Sequence, residues 1–199
     1  ECLRYGISIC VAGATSSGKT TLAGWLLTTI PDGKRIFTIE NGSRELALVR
    51  EKDGKVTNSV IHTLTRYSEN EKQNIDQDML LDMALRFNPE IICVGEMRSS
   101  EAYTAQESAR TGHTVLTTIH SNSCESTYSR MRTLCKRKYD MDDELLMDLV
   151  TEAFPIVVFT KQLENRKRKL MEIMECEITA DGKRKFNPLY RYEITENRM

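Results

Sequence analysis

Residues 13–20 read Gly-Ala-Thr-Ser-Ser-Gly-Lys-Thr and match the pattern G-x-x-x-x-G-K-[ST] at every fixed position. An apolar run, Ile-Ser-Ile-Cys-Val-Ala at 7–12, precedes them and predicts a strand buried on both faces. The apolar spacing after Lys19 predicts a helix that Pro31 ends. Because a loop between a strand and a helix N-terminus directs backbone N–H groups at an anion, we predict that residues 13–20 bind phosphate.

The residue types of this loop match the parts of a nucleoside triphosphate and its metal ion. Glycines let the chain bend around the phosphates, the Lys19 ammonium would reach the β- and γ-phosphates, and the Thr20 hydroxyl would coordinate Mg²⁺. We therefore predict ATP and Mg²⁺ as ligands. The predicted nucleotide contacts in this loop are Gly13, Thr15, Ser16, Ser17, Gly18, Lys19, Thr20 and Thr21.

Strand and helix patterns alternate beyond the loop, which predicts an α/β fold with a mainly parallel sheet and helices on both faces. The predicted elements are strands at 35–40, 91–95 and 114–119 and helices at 76–87 and 99–110. Between them, the polar stretch 42–75 predicts a surface excursion with a strand or hairpin near 60–67.

The remainder of the chain predicts two helices followed by three strands. The helices are expected at 123–135 and 141–153, and the strands at 156–161, 170–178 and 189–194. Turn signals at Asn165 and at Asp181-Gly182 separate the strands, as in an antiparallel extension. We predict a single domain over 1–199, with a core at 5–135 and C-terminal helices and strands at 140–195.

A carboxylate follows the predicted strand 91–95, in the sequence Gly95-Glu96-Met97-Arg98. Strand ends face the ligand crevice in sheets of this kind, so Glu96 would lie beside the phosphate-binding loop. There it could orient Mg²⁺ through water, together with Thr20, and accept a proton from an attacking water molecule. A solvated acid at a strand end is the alternative interpretation.

Charge and composition argue against a nucleic-acid partner. The chain has 28 basic and 29 acidic side chains, a net charge of -1, and only 7% aromatic residues. Its two dense basic runs, 135–138 and 166–169, are typical of a solvated helix end and a solvated turn. A surface that binds nucleic acid usually concentrates positive charge on one face, so we expect no direct nucleic-acid binding.

The six cysteines stand singly, without the Cys-x-x-Cys pairs of zinc or dithiol sites. We expect them to be buried thiols, a usage that suits a reducing cytoplasm. No apolar stretch approaches the roughly 18 residues of a membrane-spanning helix, and no transmembrane segment is expected. The chain opens at Glu1 rather than Met, and we expect that a domain of the full-length protein precedes it.

Three further strings resemble motifs of one family. Residues 85–98, L-R-F-N-P-E-I-I-C-V-G-E-M-R, and residues 111–122, T-G-H-T-V-L-T-T-I-H-S-N, resemble the acidic and histidine motifs of the type II/type IV secretion ATPase superfamily. Thr-Ile-Glu-Asn at 38–41 resembles its acidic box. With the phosphate-binding loop, these motifs cover roughly residues 7–130 in family order. The four-cysteine zinc insert of some members is absent, and the likeness is greatest to ATPases of Tad-type pili and conjugative transfer.

The resemblance implies a RecA-like P-loop fold and a hexameric ring that binds Mg²⁺-ATP between subunits. It implies a motor that powers secretion, pilus assembly or conjugative DNA transfer. By position, Glu40 is the acidic-box carboxylate, Glu96 the catalytic acid and Arg98 its adjacent contact. His113 and His120 belong to the histidine box, and either imidazole could sense a γ-phosphate.

The resemblance also implies a place in the cell and partners. We expect a cytoplasmic protein at the cytoplasmic face of the membrane, working with inner-membrane secretion or pilus platform proteins. A neighbouring subunit could supply a cation to each site, and the candidates are Arg44, Arg66 and Arg86, each of which could equally be a salt-bridged surface residue.

Two residues in the polar region need separate comment. Family members usually have Asp where this chain has Asn41, so any charge-dependent duty of that side chain is open. We interpret His62 as a surface residue.

Other functions remain compatible with the phosphate-binding loop. A RecA-like DNA-binding ATPase or helicase would need a basic stripe interleaved with aromatic residues. A small-molecule kinase would need an acceptor-binding lid, for which no pattern is evident. A regulatory nucleotide-binding module that has lost activity as an isolated domain is the third alternative.

Overall fold

The computed structural model describes residues 1–193, which form a layered α/β fold. The strands are β1 (Ile9–Gly13), β2 (Arg35–Glu40), β3 (Glu51–Lys52), β4 (Lys55–Val56), β5 (Ser59–Leu64), β6 (Ile91–Met97), β7 (Thr114–Ile119), β8 (Ile156–Gln162), β9 (Arg168–Ile178) and β10 (Arg184–Arg191). The α-helices are α1 (Lys19–Thr28), α2 (Gln77–Arg86), α3 (Glu101–Arg110), α4 (Cys124–Cys135) and α5 (Asp143–Ala153).

Eight strands form one sheet in the order β10-β9-β8-β1-β7-β6-β2-β5, and β3 and β4 form a separate short hairpin. The pairings from β8 across to β5 are parallel, whereas β8–β9 and β9–β10 are antiparallel. The predicted mainly parallel sheet with an antiparallel C-terminal extension is therefore confirmed.

The two faces of the sheet are covered unequally. Side chains of β1 alternate, so that Cys10 and Ala12 pack towards helices α2 to α5 while Ile9 and Val11 face α1. The α1 face is completed by Leu46 and Leu48 from the loop after β2. Both faces of β1 are covered, which explains why the strand is apolar at every position.

Helix starts coincide with side chains that accept hydrogen bonds from free backbone N–H groups. Asp76 accepts from the Met79 N–H at the start of α2, at 2.9 Å. Ser123 and Ser126 exchange side chain to backbone hydrogen bonds at the start of α4, and Asp142 accepts two N–H groups at the start of α5. Such caps satisfy donors that have no partner within the helix.

Several boundaries differ from the sequence prediction. The excursion 42–75 contains the β3–β4 hairpin and β5, which joins the main sheet as a parallel edge strand. The strand at 156–161 pairs in parallel with β1 as well as antiparallel with β9, so it belongs to both parts of the sheet. The last strand starts at Arg184 rather than Leu189, and its predicted end at Ile194 lies outside the described residues.

The cysteines within the sheet are inert thiols. Cys10 and Cys93 are fully buried, and burial raises the pKa of Cys93 to about 12. No disulfide joins the six cysteines. Within residues 1–193, none of the helices has the length and apolarity that crossing a bilayer requires.

Helix α2 offers a test of this packing. Leu81 is fully buried and Met79, on the same helix, is 54% exposed. We expect Leu81→Ala to lower the free energy of unfolding by about 2–5 kcal/mol, because it leaves a cavity among close-packed side chains. The matched control Met79→Ala should change it by less than about 1 kcal/mol, measured by urea denaturation. Equal losses in the two variants would contradict the described orientation of α2.

Candidate functional site

The glycine-rich loop lies at the carboxyl edge of the sheet, as predicted. Ala12 of β1 pairs with Ile119 of β7, and Gly13 pairs with Thr160 of β8. The loop 14–18 leaves the sheet at this edge and returns as α1. Parallel strands end at the same edge, so the residues after β6 and β7 lie beside the loop.

The backbone of the loop has conformations that its glycines permit. Gly18, just before α1, has a φ of 97°, and Ser16 also lies in the left-handed region with a φ of 61°. A Cβ at Gly13 would collide with the carbonyl oxygen of Thr160. A side chain at position 13 would therefore displace β8 or the loop, which explains why glycine stands there.

Lys19 is buried within the loop, with 7% of its surface exposed. Its Nζ donates a hydrogen bond to the carbonyl oxygen of Ala14 at 2.8 Å. Burial lowers the pKa of the Lys19 ammonium, the negative charge of Glu96 raises it, and Arg98 lowers it. The net effect is a lowered pKa. The hydrogen bond to Ala14 places the ammonium inside the loop, where its positive charge would face a bound phosphate.

Glu96, Arg98 and His120 meet beside the loop. The Arg98 guanidinium bonds to Glu96 Oε2, and this hydrogen bond, with the charge of Glu96, raises the pKa of Arg98. His120 Nε2 lies 2.7 Å from Glu96 Oε1, at ion-pair distance, and no other donor among the described residues reaches that buried oxygen. A carboxylate oxygen with only an imidazole beside it is suited to accept a proton from a water molecule.

A cavity of about 80 Å³ lies between Thr20, the last residue of the loop, and the side chains of Glu96 and Arg98. Thr20, Glu40, Glu45, Glu96 and Arg98 are among its lining residues. The charged side chains among them are three carboxylates and one guanidinium. With the Thr20 hydroxyl, the carboxylates provide oxygen ligands of the kind that a hard cation such as Mg²⁺ prefers. Within residues 1–193, no cluster of three His, Cys, Asp or Glu side chains could hold a metal ion alone.

Glu40 holds the loop that follows β2. Its Oε2 accepts hydrogen bonds from the backbone N–H groups of Glu45 at 2.6 Å and Leu46 at 2.9 Å. The carboxylate is 4% exposed. Glu40 therefore holds in place the loop whose Glu45 lines the cavity. It does so by accepting hydrogen bonds from backbone N–H groups.

The interpretation of His62 as a surface residue is wrong. Its side chain is only 12% exposed, and its Nδ1 lies 2.8 Å from Thr38 Oγ1 and 3.6 Å from Glu40 Oε1. Burial and the charge of Arg44 lower the pKa of His62, against the opposing effect of Glu40. The alternation of β5 turns this histidine towards β2, which a polar sequence context did not indicate.

Asn41 makes a contact that needs no negative charge at this position. Its Oδ1 accepts a hydrogen bond from Thr65 Oγ1 at 2.6 Å, just beyond β5. An amide oxygen accepts such a bond as an uncharged carbonyl, so this contact does not require a carboxylate.

The structure does not bring His113 to the loop. Thr114, the next residue, pairs with Ile91 at the start of β6, so His113 lies at the amino edge of the sheet. Seven residues of extended chain separate it from His120, about 23 Å. His113 therefore cannot contact a nucleotide held by the loop of the same chain, and only His120 of the two lies at the candidate site.

The three candidate arginines differ in position. Arg44 lies in the loop after β2, near the cavity, and donates to the carbonyl oxygen of Leu46 at 3.5 Å. The backbone of Arg66 pairs with Ile75. Arg86 ends α2, on the connection that leads to the start of β6.

Two residues at the site escaped sequence reasoning. Thr160 Oγ1 lies 3.0 Å from Ser17 Oγ, and Arg168 Nε donates to the carbonyl oxygen of Ser16 at 2.8 Å. The basic run 166–169 was interpreted as a solvated turn; Arg168 is exposed, as expected, but it lies at the start of β9 rather than in the turn, and it contacts the loop. Both residues are more than 140 positions from the loop, so no local pattern could have linked them to it.

The residues present fit a polyphosphate with Mg²⁺. The loop encloses a buried ammonium whose one hydrogen bond within residues 1–193 is to a carbonyl oxygen, at the N-terminus of α1. The Thr20 hydroxyl and the Glu96 carboxylate line the adjoining cavity. Positive charge for phosphate and oxygen ligands for a cation are thus side by side.

Comparison with known sequences gives one family. A profile described as type II/IV secretion system protein matches residues 3–186. The type IV secretion system protein VirB11 of Bartonella quintana is 30% identical over 177 residues, which are 83% of this chain and 45% of that protein. The uncharacterized protein MJ0900 of Methanocaldococcus jannaschii is 36% identical over 131 residues, 65% of this chain and 22% of that protein. The chain spans about half or less of the length of these relatives.

A solved structure shares the fold. The VirB11 ATPase of the Brucella suis type IV secretion system, crystallised with sulphate, aligns with a TM-score of 0.74 at 27% identity. The alignment covers 87% of this chain and 49% of the other.

The surroundings of His120 predict its titration. Burial and the nearby Lys19 ammonium lower its pKa, and Glu96 opposes them only in part. We expect the imidazole to titrate below the ordinary value of about 6.5. As pH falls through that value the unfolded chain takes up the proton first, so this group should lower stability until the folded pKa is passed.

NMR of the imidazole C–H signals measures this midpoint. The chain has three histidines, and His120→Asn identifies the signal. A midpoint above about 6.5 would contradict the described balance, because it would mean that Glu96 outweighs burial and Lys19.

Proposed function

The chain belongs to the type II/IV secretion system protein family, and we propose that it is a P-loop ATPase domain that hydrolyses Mg²⁺-ATP at the loop 13–20. The observation that best supports this is the Glu96 carboxylate at the cavity that Thr20 also lines, close enough to Lys19 for its charge to raise the pKa of that ammonium. A carboxylate beside a phosphate-binding loop suits the transfer of a phosphoryl group to water, because it can accept the proton of the attacking water.

Each residue has a proposed part. Lys19 exchanges its bond to the Ala14 carbonyl for the β- and γ-phosphates, and the backbone N–H groups of the loop surround the same oxygens. Thr20 and Glu96 would hold Mg²⁺, which would supply positive charge that neutralises the phosphates. Gly13, Thr15, Ser16, Ser17, Gly18 and Thr21 complete the cradle.

Glu96 is the proposed general base. Its Oε1 accepts the proton of the attacking water, while Arg98 holds the other oxygen and fixes the carboxylate plane. His120, neutral at physiological pH because its pKa is lowered, is placed to donate or accept a hydrogen bond at the γ-phosphate end. Glu40 acts as a positioning residue, through the backbone of Glu45 and Leu46.

The larger assembly is proposed from the likeness to the family. We propose that 1–199 is a single RecA-like domain of a longer protein, which forms a homo-hexameric ring at the cytoplasmic face of the membrane. Relatives are named for type IV secretion and for conjugal transfer, as in TrbB of Rhizobium radiobacter, 28% identical over 177 residues. Inner-membrane platform proteins of a secretion, pilus or conjugation machine are the proposed partners.

Two substitutions separate binding from chemistry. Glu96→Gln should reduce turnover by at least about 100-fold while leaving ATP affinity within a few-fold, because the amide cannot accept the proton of water. Lys19→Ala should weaken ATP binding itself, because it removes the positive charge inside the loop. Phosphate release and calorimetric titration of ATP in the presence of Mg²⁺ measure the two effects.

The matched control for the loss of a carboxylate is Glu71→Gln. Glu71 is exposed in the short 3-10 helix Glu71–Gln73, and its replacement should leave turnover unchanged. Normal hydrolysis by the Glu96→Gln protein would rule out the proposed general base.

A further inference from the structure

The phosphate-binding loop is held on one flank by the β8–β9 hairpin. Thr160 Oγ1 lies 3.0 Å from Ser17 Oγ and 3.3 Å from the carbonyl oxygen of Ala12, so one buried hydroxyl connects the end of β1 to the middle of the loop. The missing Cβ of Gly13 is what lets β8 approach this closely. The hairpin thus forms a wall of the loop on the side away from β6 and β7.

Arg168, on β9, reaches the tip of the loop. Its Nε donates to the carbonyl oxygen of Ser16 at 2.8 Å, and its Cδ lies 3.3 Å from the point where a Cβ of Gly18 would stand. The side chain therefore lies along the backbone of the loop from Ser16 to Gly18. Among residues 1–193, its guanidinium makes no other hydrogen bond or ion pair, so this contact is not a by-product of a surface salt-bridge network.

The conformation of Ser16 shows why the loop needs a partner here. Its φ of 61° is a left-handed conformation that costs free energy for a residue with a side chain. A hydrogen bond from a charged donor is stronger than one from a neutral donor, and it offsets this cost. With the Ser16 carbonyl held outward by Arg168, the N–H groups that follow can face the interior of the loop.

The two flanks of the loop differ in chemistry. Glu96 and His120 stand at the ends of β6 and β7, whereas Arg168 approaches from β9, beyond β8. Arg168 is therefore placed to affect the shape of the loop but not the carboxylate that accepts a proton. A change at Arg168 should alter nucleotide affinity and leave the chemical step in place.

We infer that Arg168 is a positioning residue that holds the phosphate-binding loop, through the Ser16 carbonyl, in the form that receives a nucleoside polyphosphate. This inference rests on the proposed function of the same loop. The C-terminal β8–β9 hairpin is then part of the nucleotide site, although it lies far in sequence from the glycine-rich loop.

The experiment compares Arg168→Ala, Arg168→Lys and the control Lys167→Ala. Lys167 is the neighbour on the same hairpin, exposed as Arg168 is, and its side chain makes no hydrogen bond or ion pair among the described residues. In Arg168→Ala we expect KM for ATP and Kd for ADP to rise about three- to tenfold, the loss expected when a charged hydrogen bond at an exposed position is removed, with kcat within about twofold. Arg168→Lys should recover most of the affinity, because an ammonium can also donate to the Ser16 carbonyl.

A readout without nucleotide separates this inference from the proposed function. Amide hydrogen exchange over 12–21 in the ligand-free chain should be faster in Arg168→Ala than in the unaltered chain, and unchanged in Lys167→Ala. If the unaltered chain binds no ATP or ADP, the proposed function fails, and the exchange result alone then decides the positioning role. Unchanged exchange in Arg168→Ala, or a fall in kcat with KM unchanged, would overturn the inference.

Discussion

Strand β1 is buried along its whole length and pairs in parallel with β7 on one side and β8 on the other. These pairings fix the residue at which the chain leaves the sheet. Gly13 pairs with Thr160, and it follows Ala12, which pairs with Ile119 at the end of β7. The glycine-rich loop, the end of β7 and the wall formed by β8 are all consequences of that register. A slip of one residue would turn Ile9 and Val11 to the opposite face and separate the loop from its neighbours.

The candidate site is assembled from segments that are distant in sequence. Each segment is held in place by hydrogen bonds between a side chain and main-chain atoms. Glu40 accepts N–H groups of the loop after β2, Arg168 donates to the tip of the phosphate-binding loop, and Gln77 donates to the carbonyl oxygen of Glu96 at 3.1 Å. Side chains that bind main-chain atoms fix positions without neutralising the groups left for a ligand. The Lys19 ammonium and one oxygen of Glu96 are left in this way.

The features that could be predicted from the sequence are those that a local residue pattern determines. The phosphate-binding loop, its strand and helix, and the placement of Glu96 at the end of β6 follow from apolar runs and glycine positions, and their structural setting is as expected. Pairing between distant strands leaves no local signal, so the contacts of Thr160 and Arg168 and the inward turn of His62 were not foreseen. The resemblance placed both His113 and His120 in the histidine box, although β7 separates them and puts its two ends at opposite edges of the sheet.

A crystal structure of the chain with Mg²⁺ and a non-hydrolysable ATP analogue tests the central claim most directly. The account predicts that the backbone N–H groups of 16–20 surround the phosphates, that Thr20 touches the metal ion, and that the γ-phosphate points towards Glu96 and His120. An analogue bound away from the loop, or one whose γ-phosphate points towards Arg168, would contradict it.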